Sequence, residues 1–143
     1  MRAIVVDDGS TDHTWEGMQR AKGDPLLSDR LELVRHERNY GKRVALATAI
    51  ARAYSEIVVC IDSDSFVNSD AIRLLLQPFH DSRVMAVSGH GEGMNKEEGA
   101  LQRLQHYWYA DSFRLVKAME SRFGCVLCCS GMLAAYSEPQ FSQ

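Results

Sequence analysis

Two short, continuously apolar segments in this chain run straight into acidic residues, and that arrangement constrains the fold most. Ala3 to Val6 ends in Asp7-Asp8-Gly9-Ser10, and Glu56 to Ile61 ends in Asp62-Ser63-Asp64. A segment apolar at every position reads as a strand buried on both faces, as in a parallel sheet covered by helices. Leu31 to Arg35, Val84 to Ser88 and Gly124 to Ser130 supply three more strands. Between them the period changes. Thr11 or Asp12 can cap a helix through Trp15 and Met18 to about Ala21, stopped by Gly23-Asp24-Pro25. Gly41 to Tyr54 places Leu46, Ala49, Ile50 and Ala53 at helical spacing. Asn68 or Ser69 can cap a helix from Asp70 to about Phe79, followed after the fourth strand by a glycine-rich loop from Gly89 to Asn95. A long helix is predicted over 96–122, with Leu101, Leu104, Trp108, Leu115 and Met119 on one stripe. Strands alternating with helices give an α/β fold whose ligands bind beyond the carboxyl ends of the strands. Both acidic loops fall there.

With 143 residues, the chain has room for one domain over 1–143. No stretch approaches the roughly 18 apolar residues that span a bilayer. A net charge of −3 argues against a broad nucleic-acid-binding face. Cys125 and Cys128 have C-x-x-C spacing with Cys129 beside them, which admits a disulfide, a zinc site or packed thiols. Their apolar neighbours Val126 and Leu127 and the distance to Cys60 favour reduced thiols packed in a strand.

Asp62 and Asp64, one residue apart at a strand end, can point to one side of an extended chain and hold a hard cation, Mg²⁺ or Mn²⁺. Such ions take one or two protein carboxylates and fill their remaining positions with water and phosphate oxygens. The same residues also serve as caps and turn formers. In the other acidic loop, Gly9 permits close backbone approach, and an aspartate can accept from a ring N–H or a ribose hydroxyl. A helix-capping turn with solvated acids is the competing reading. Asn39-Tyr40-Gly41-Lys42-Arg43 opens the alanine-rich helix, where exposed N–H groups and Lys42 attract phosphate.

Taken in order, Val5-Val6-Asp7-Asp8-Gly9-Ser10-Thr11-Asp12, Asn39-Tyr40-Gly41-Lys42-Arg43 and Asp62-Ser63-Asp64-Ser65 resemble the successive motifs of family 2 glycosyltransferases with the GT-A fold. Tyr107-Trp108 and Gly124 to Gly131 are similar to the corresponding segment of hyaluronan synthases, chitin synthases and the rhizobial chitooligosaccharide synthase NodC. The resemblance implies a GT-A-like, mostly parallel sheet with flanking helices, a Rossmann-like nucleotide-binding core. It implies that Asp8, with Asp7, recognises uridine, that Lys42 contacts the diphosphate, and that Asp62 and Asp64 form the DxD motif with Asp64 the main metal ligand. Ser88 and Gly89 would border the donor sugar, and Cys129, Ser130 and Gly131 would lie near the acceptor. The implied reaction is inverting transfer from a UDP-sugar, with N-acetylglucosamine the sugar suggested, to a growing polysaccharide or oligosaccharide.

Other parts of the family pattern have no match here. The acidic motif that supplies the catalytic base, the Gln-x-x-Arg-Trp motif, the membrane helices and the opening strand are not found in this sequence. The resemblance therefore leads us to expect an incomplete domain from a longer, membrane-associated protein with a cytoplasmic catalytic domain, attached to the membrane only through segments outside this sequence. A catalytically silent nucleotide-sugar-binding module is the alternative.

Overall fold

The computed structural model describes residues 1–90, 99–111, 115–126, 128–129 and 132–137. They form two compact units, Met1–Ser55 and Glu56–Gln143.

The first unit is a β-α-β crossover followed by a helix. Strand β1 (Ala3–Asp7) leads into α1 (Thr14–Lys22), then β2 (Leu31–Arg35) and α2 (Lys42–Ile50). β1 and β2 pair in parallel, with Ala3 opposite Leu31 and Asp7 opposite Arg35. The His36 N–H extends this ladder by donating to the Asp7 carbonyl at 2.8 Å. Helix α1 packs on β2, and α2 on β1. The cap differs from expectation: His13 stands at the N-cap without a side-chain bond, while Asp12, one residue before it, accepts the Thr14 N–H at 3.0 Å and satisfies a donor that the helix leaves open.

The second unit contains β3 (Ile57–Ile61), α3 (Ala71–Leu76) extended by a 3₁₀ turn over Gln77–His80, β4 (Ala86–Ser88), α4 (Ala100–Asp111), α5 (Lys117–Arg122) and β5 (Leu133–Ser137). β5 lies between β3 and β4 and runs antiparallel to both. The two outer strands therefore point the same way, with one reversed strand inserted between them. Ala134 and Ala135 at the centre of β5 are fully buried, and Leu75 of α3 is 5% exposed. Small side chains there let neighbouring elements approach the middle strand closely.

Three expectations need correction. The last strand does not lie over 124–130: the described residues there are not in a strand, and the strand is Leu133–Ser137. The later segment, with two alanines, is not marked out by β propensity; its pairing with β3 and β4 selects it. The apolar strands are also not buried on both faces. Val5 is 36% and Ile61 41% exposed. The long helix is described over Ala100–Asp111 and Lys117–Arg122, with residues 112–114 outside the described residues, and its apolar stripe is open, with Leu101 at 73% and Trp108 at 74% exposure. Helical period fixes which residues share a face but not what covers that face. Most of the glycine-rich loop and the tail lie outside the described residues.

Candidate functional site

The acidic loop of the first unit is built around two neighbouring aspartates with different roles. Asp7, the last residue of β1, is 2% exposed. Its Oδ1 accepts the Ser10 N–H at 2.9 Å, which closes the turn, and its Oδ2 lies 3.2 Å from Arg35 Nε. Arg35 continues the arrangement outward, its guanidinium 5.3 Å from the centre of the Trp15 ring.

Asp8 ties the two loops of the unit together. Its Oδ1 is 2.7 Å from His36 Nδ1 and accepts the Tyr40 N–H at 3.0 Å, while Oδ2 accepts the Gly41 N–H at 2.7 Å. The far nitrogen of the same ring, His36 Nε2, is 3.0 Å from Thr48 Oγ1 on α2. Tyr40 stands edge-on to His36 with ring centres 5.4 Å apart, and Arg38 lies 5.1 Å from the Tyr40 ring. Gly9 makes this arrangement possible. With φ at +73°, its backbone is so close to Arg38 and Asn39 that any Cβ would meet the Arg38 carbonyl carbon at 2.3 Å. The close approach expected of Gly9 is thus an approach to the chain's own backbone.

Hydrogen bonding from His36, and then from the Tyr40 and Gly41 amides, holds the Asp8 carboxyl below the ordinary aspartate value of 3.8. A carboxyl shifted down in the folded state stabilises that state above its unfolded value, and the contribution fades as pH falls through the folded value. Acid unfolding of the chain should therefore show a larger loss of stability below pH 3.8 than Asp8→Asn shows. Equal acid midpoints for the two proteins, measured by circular dichroism, would remove this role for Asp8.

Gly41, with φ at +91°, turns the chain into α2, and Lys42 is the first residue of that helix. Asp8 thereby fixes the start of the helix that presents Lys42. A cavity of about 460 Å³ opens beside the acidic loop, lined by Gly9, Ser10, Thr11, Arg35, His36 and Glu37.

In the second unit, the Asp62 N–H donates to the Met132 carbonyl at 3.3 Å, so Asp62 still belongs to the β3–β5 ladder. The Asp62 carbonyl then accepts the Ser65 N–H at 3.0 Å. Asp62 and Asp64 are thus the first and third residues of one turn, rather than alternate residues of an extended strand. Asp62 is half-buried and Asp64 exposed. Among the described residues, no group of three or more His, Cys, Asp or Glu side chains stands together. Two hard oxygen donors on one turn fit a divalent cation that completes its shell with phosphate and water.

Ser88 ends β4 and Gly89 follows it, its N–H donating to the Leu133 carbonyl at 2.7 Å and its Cα packed against the Leu133 side chain. Cys129 is half-buried, and burial pushes its thiol up, with the neighbouring Cys128 adding to the shift. Ser130, Gly131 and Leu127 lie outside the described residues. None of the four cysteines forms a disulfide in this structure. Cys125 and Cys128 are exposed rather than packed, because the strand expected to bury them lies further along the chain.

His36 and Thr48 escaped the sequence reading. The available signal was position: His36 follows the apolar run of β2 just as Asp8 follows that of β1, and polar residues at parallel strand ends converge on a site.

Comparisons with known proteins show the family and the fold. Residues 1–139 match the family described as Glycosyl transferase family 2. The chain is 33% identical over 138 residues to an N-acetylglucosaminyltransferase of Neorhizobium galegae, covering 95% of this chain and 31% of that protein. It is 36% identical over 134 residues to a hyaluronan synthase of Streptococcus pyogenes, covering 92% and 32% respectively. Its fold is similar to the solved structure of the mannosyltransferase PcManGT from Pyrobaculum calidifontis in complex with GDP-Man and Mn²⁺. That likeness has a TM-score of 0.70 and 26% identity over 96% of this chain and 35% of the other. This chain thus spans about a third of each of these proteins. With its ordered acidic loops, α/β architecture and matched length, the chain belongs to glycosyl transferase family 2 and has the GT-A type of fold.

Proposed function

We propose that this chain is the nucleotide-binding core of a metal-dependent glycosyltransferase that uses a UDP-sugar, with N-acetylglucosamine the sugar favoured by its relatives. The observation that carries this reading is the hydrogen-bonding state of Asp8. An ionised carboxylate offers about four acceptor sites. Three are used by His36, Tyr40 and Gly41. One remains, and the carboxylate can only accept, so it suits a base that offers a ring N–H. Uracil N3–H meets that requirement, and guanine N1–H does so in the same way, whereas cytosine presents a lone pair at the equivalent position.

Lys42, at the start of α2, contacts the diphosphate through its charge and the open N–H groups of the first turn. Asp64, assisted by Asp62, holds Mg²⁺ or Mn²⁺. The cation supplies neutralisation of the charge that develops on the departing UDP. Ser88 and Gly89 border the donor sugar, and the segment from Cys129 to Gly131 lies toward the saccharide acceptor. Inverting transfer to a growing polysaccharide or oligosaccharide is the reaction of the longer protein, with the acceptor proton taken by a base outside the motifs matched here. Any membrane attachment likewise belongs to the longer protein, since no helix among the described residues is long and apolar enough to cross a bilayer.

Calorimetry on this chain tests the reading. UDP binding should require Mn²⁺ or Mg²⁺ and should exceed CDP binding by about tenfold, the worth of one hydrogen bond to a charged group. A GDP titration shows how much selectivity lies outside Asp8. Equal binding of UDP and CDP, indifferent to metal, would remove the nucleotide site as described.

A further inference from the structure

We infer that His36 is a positioning residue for the nucleotide site, acting through Asp8; the inference rests on the uridine reading above. Its ring lies between two fixed partners, Asp8 Oδ1 at 2.7 Å and Thr48 Oγ1 at 3.0 Å. A neutral imidazole has one donor and one acceptor nitrogen, and the partner at one fixes the role of the other. Because the Asp8 carboxylate is ionised and already accepts two amides, Nδ1 carries the hydrogen and donates to it. Nε2 then accepts from the Thr48 hydroxyl. The acceptor-only carboxylate thereby selects the tautomer, and the Thr48 hydroxyl, able to donate or accept, holds Nε2 in place.

This chain of bonds does two things for Asp8. It prevents the carboxyl group from rotating away from Tyr40 and Gly41, and it keeps the remaining acceptor site aimed in one direction. His36 is only 12% exposed at its side chain, and Asp8 19%, so water competes weakly for either bond. The edge-on Tyr40 ring closes one side of the imidazole. No ligand contact by His36 is needed. A preorganised acceptor binds more tightly because its ordering is complete before the nucleotide arrives.

The experiment uses three substitutions in the whole chain. His36→Ala removes both bonds, His36→Asn retains a donor near the Nδ1 position, and Thr48→Val removes the hydroxyl that holds Nε2. Each protein is titrated with UDP in Mn²⁺ by calorimetry, unfolded in urea, and followed by amide exchange at Tyr40 and Gly41. Long-range nitrogen-15 spectra report the His36 tautomer. The expected pattern is an Nδ1–H tautomer in the parent chain, about tenfold weaker UDP binding in His36→Ala and recovery to within about threefold in His36→Asn, the scale of one hydrogen bond. Thr48→Val should fall between them and should keep the Nδ1–H tautomer, which Asp8 sets.

An Nε2–H tautomer in the parent chain, or His36→Ala that binds UDP and protects both amides like the parent, overturns the inference. So does binding that follows the urea midpoints alone, with no recovery in His36→Asn. If the parent chain itself binds no UDP, the nucleotide reading fails, while the tautomer and the two amides still decide whether His36 positions Asp8. Should His36→Ala not fold, His36→Asn and Thr48→Val carry the same comparison.

Discussion

Asp64→Ala should abolish the metal dependence proposed for UDP binding by this chain and should weaken that binding by at least about 100-fold. Losing even an outer-shell partner of a metal site costs 10–100-fold, and a direct ligand should lie at or beyond the top of that range. Asp64 is exposed at the third position of the Asp62–Ser65 turn. The cations that suit such a turn take only one or two carboxylates from the protein. Removing one therefore removes half or more of what the chain contributes. The urea midpoint should hold within the small range typical of surface substitutions, about 0.5 kcal/mol. Asp62→Ala is a less clean test, because Asp62 is half-buried and its backbone belongs to the β3–β5 ladder. Calorimetric titrations with UDP, with Mn²⁺ present and then removed by chelation, give the measurement. If Asp64→Ala binds UDP as the parent does and responds to Mn²⁺ in the same way, the DxD assignment falls.

Gly9→Ala should be the most damaging single methyl group in the first unit. Two costs combine there. At φ of +73° a side chain is strained whatever the space around it, which costs about 1–3 kcal/mol. The new Cβ would also lie 2.3 Å from the Arg38 carbonyl carbon and 2.6 Å from Asn39 N, so backbone rather than a flexible side chain has to move. Overpacking of that kind adds a further 1–3 kcal/mol or so. A total of about 3 kcal/mol or more is a large fraction of the 5–15 kcal/mol typical of a folded domain. Gly41→Ala provides the control. It has φ of +91° but nothing within 4 Å of the added Cβ, so only the strain of about 1–3 kcal/mol applies. Urea unfolding of the two variants separates the contributions. If Gly9→Ala unfolds no earlier than Gly41→Ala, the contact between the acidic loop and residues 38–39 does not hold in solution.

The local pattern of the chain was legible because strands and helices leave different periods. β2 is found over Leu31–Arg35 as expected, and β1 and β3 differ from expectation by a single residue at one end. Acidic residues at the ends of apolar runs were visible without any structure, as were the glycine needed for close approach and the lysine at a helix start. These are properties of neighbouring residues. Period and turn chemistry operate over a few positions, so a linear reading captures them.

What the sequence by itself determined, then, was the α/β class, the order of elements and the residues placed at the strand ends. Tertiary pairing decided the rest. Between two apolar segments near the C-terminal end, only pairing with β3 and β4 selects Leu133–Ser137 over the cysteine-rich stretch before it. The bonds from Asp8 to His36, Tyr40 and Gly41 join residues 28, 32 and 33 positions apart. Thr48 was invisible as a partner because its hydroxyl meets the imidazole only once α2 has folded back beside β1. A side-chain hydrogen bond needs atoms within about 3 Å, and contacts that distant along the chain are set by the packing of strands and helices, which no local window contains.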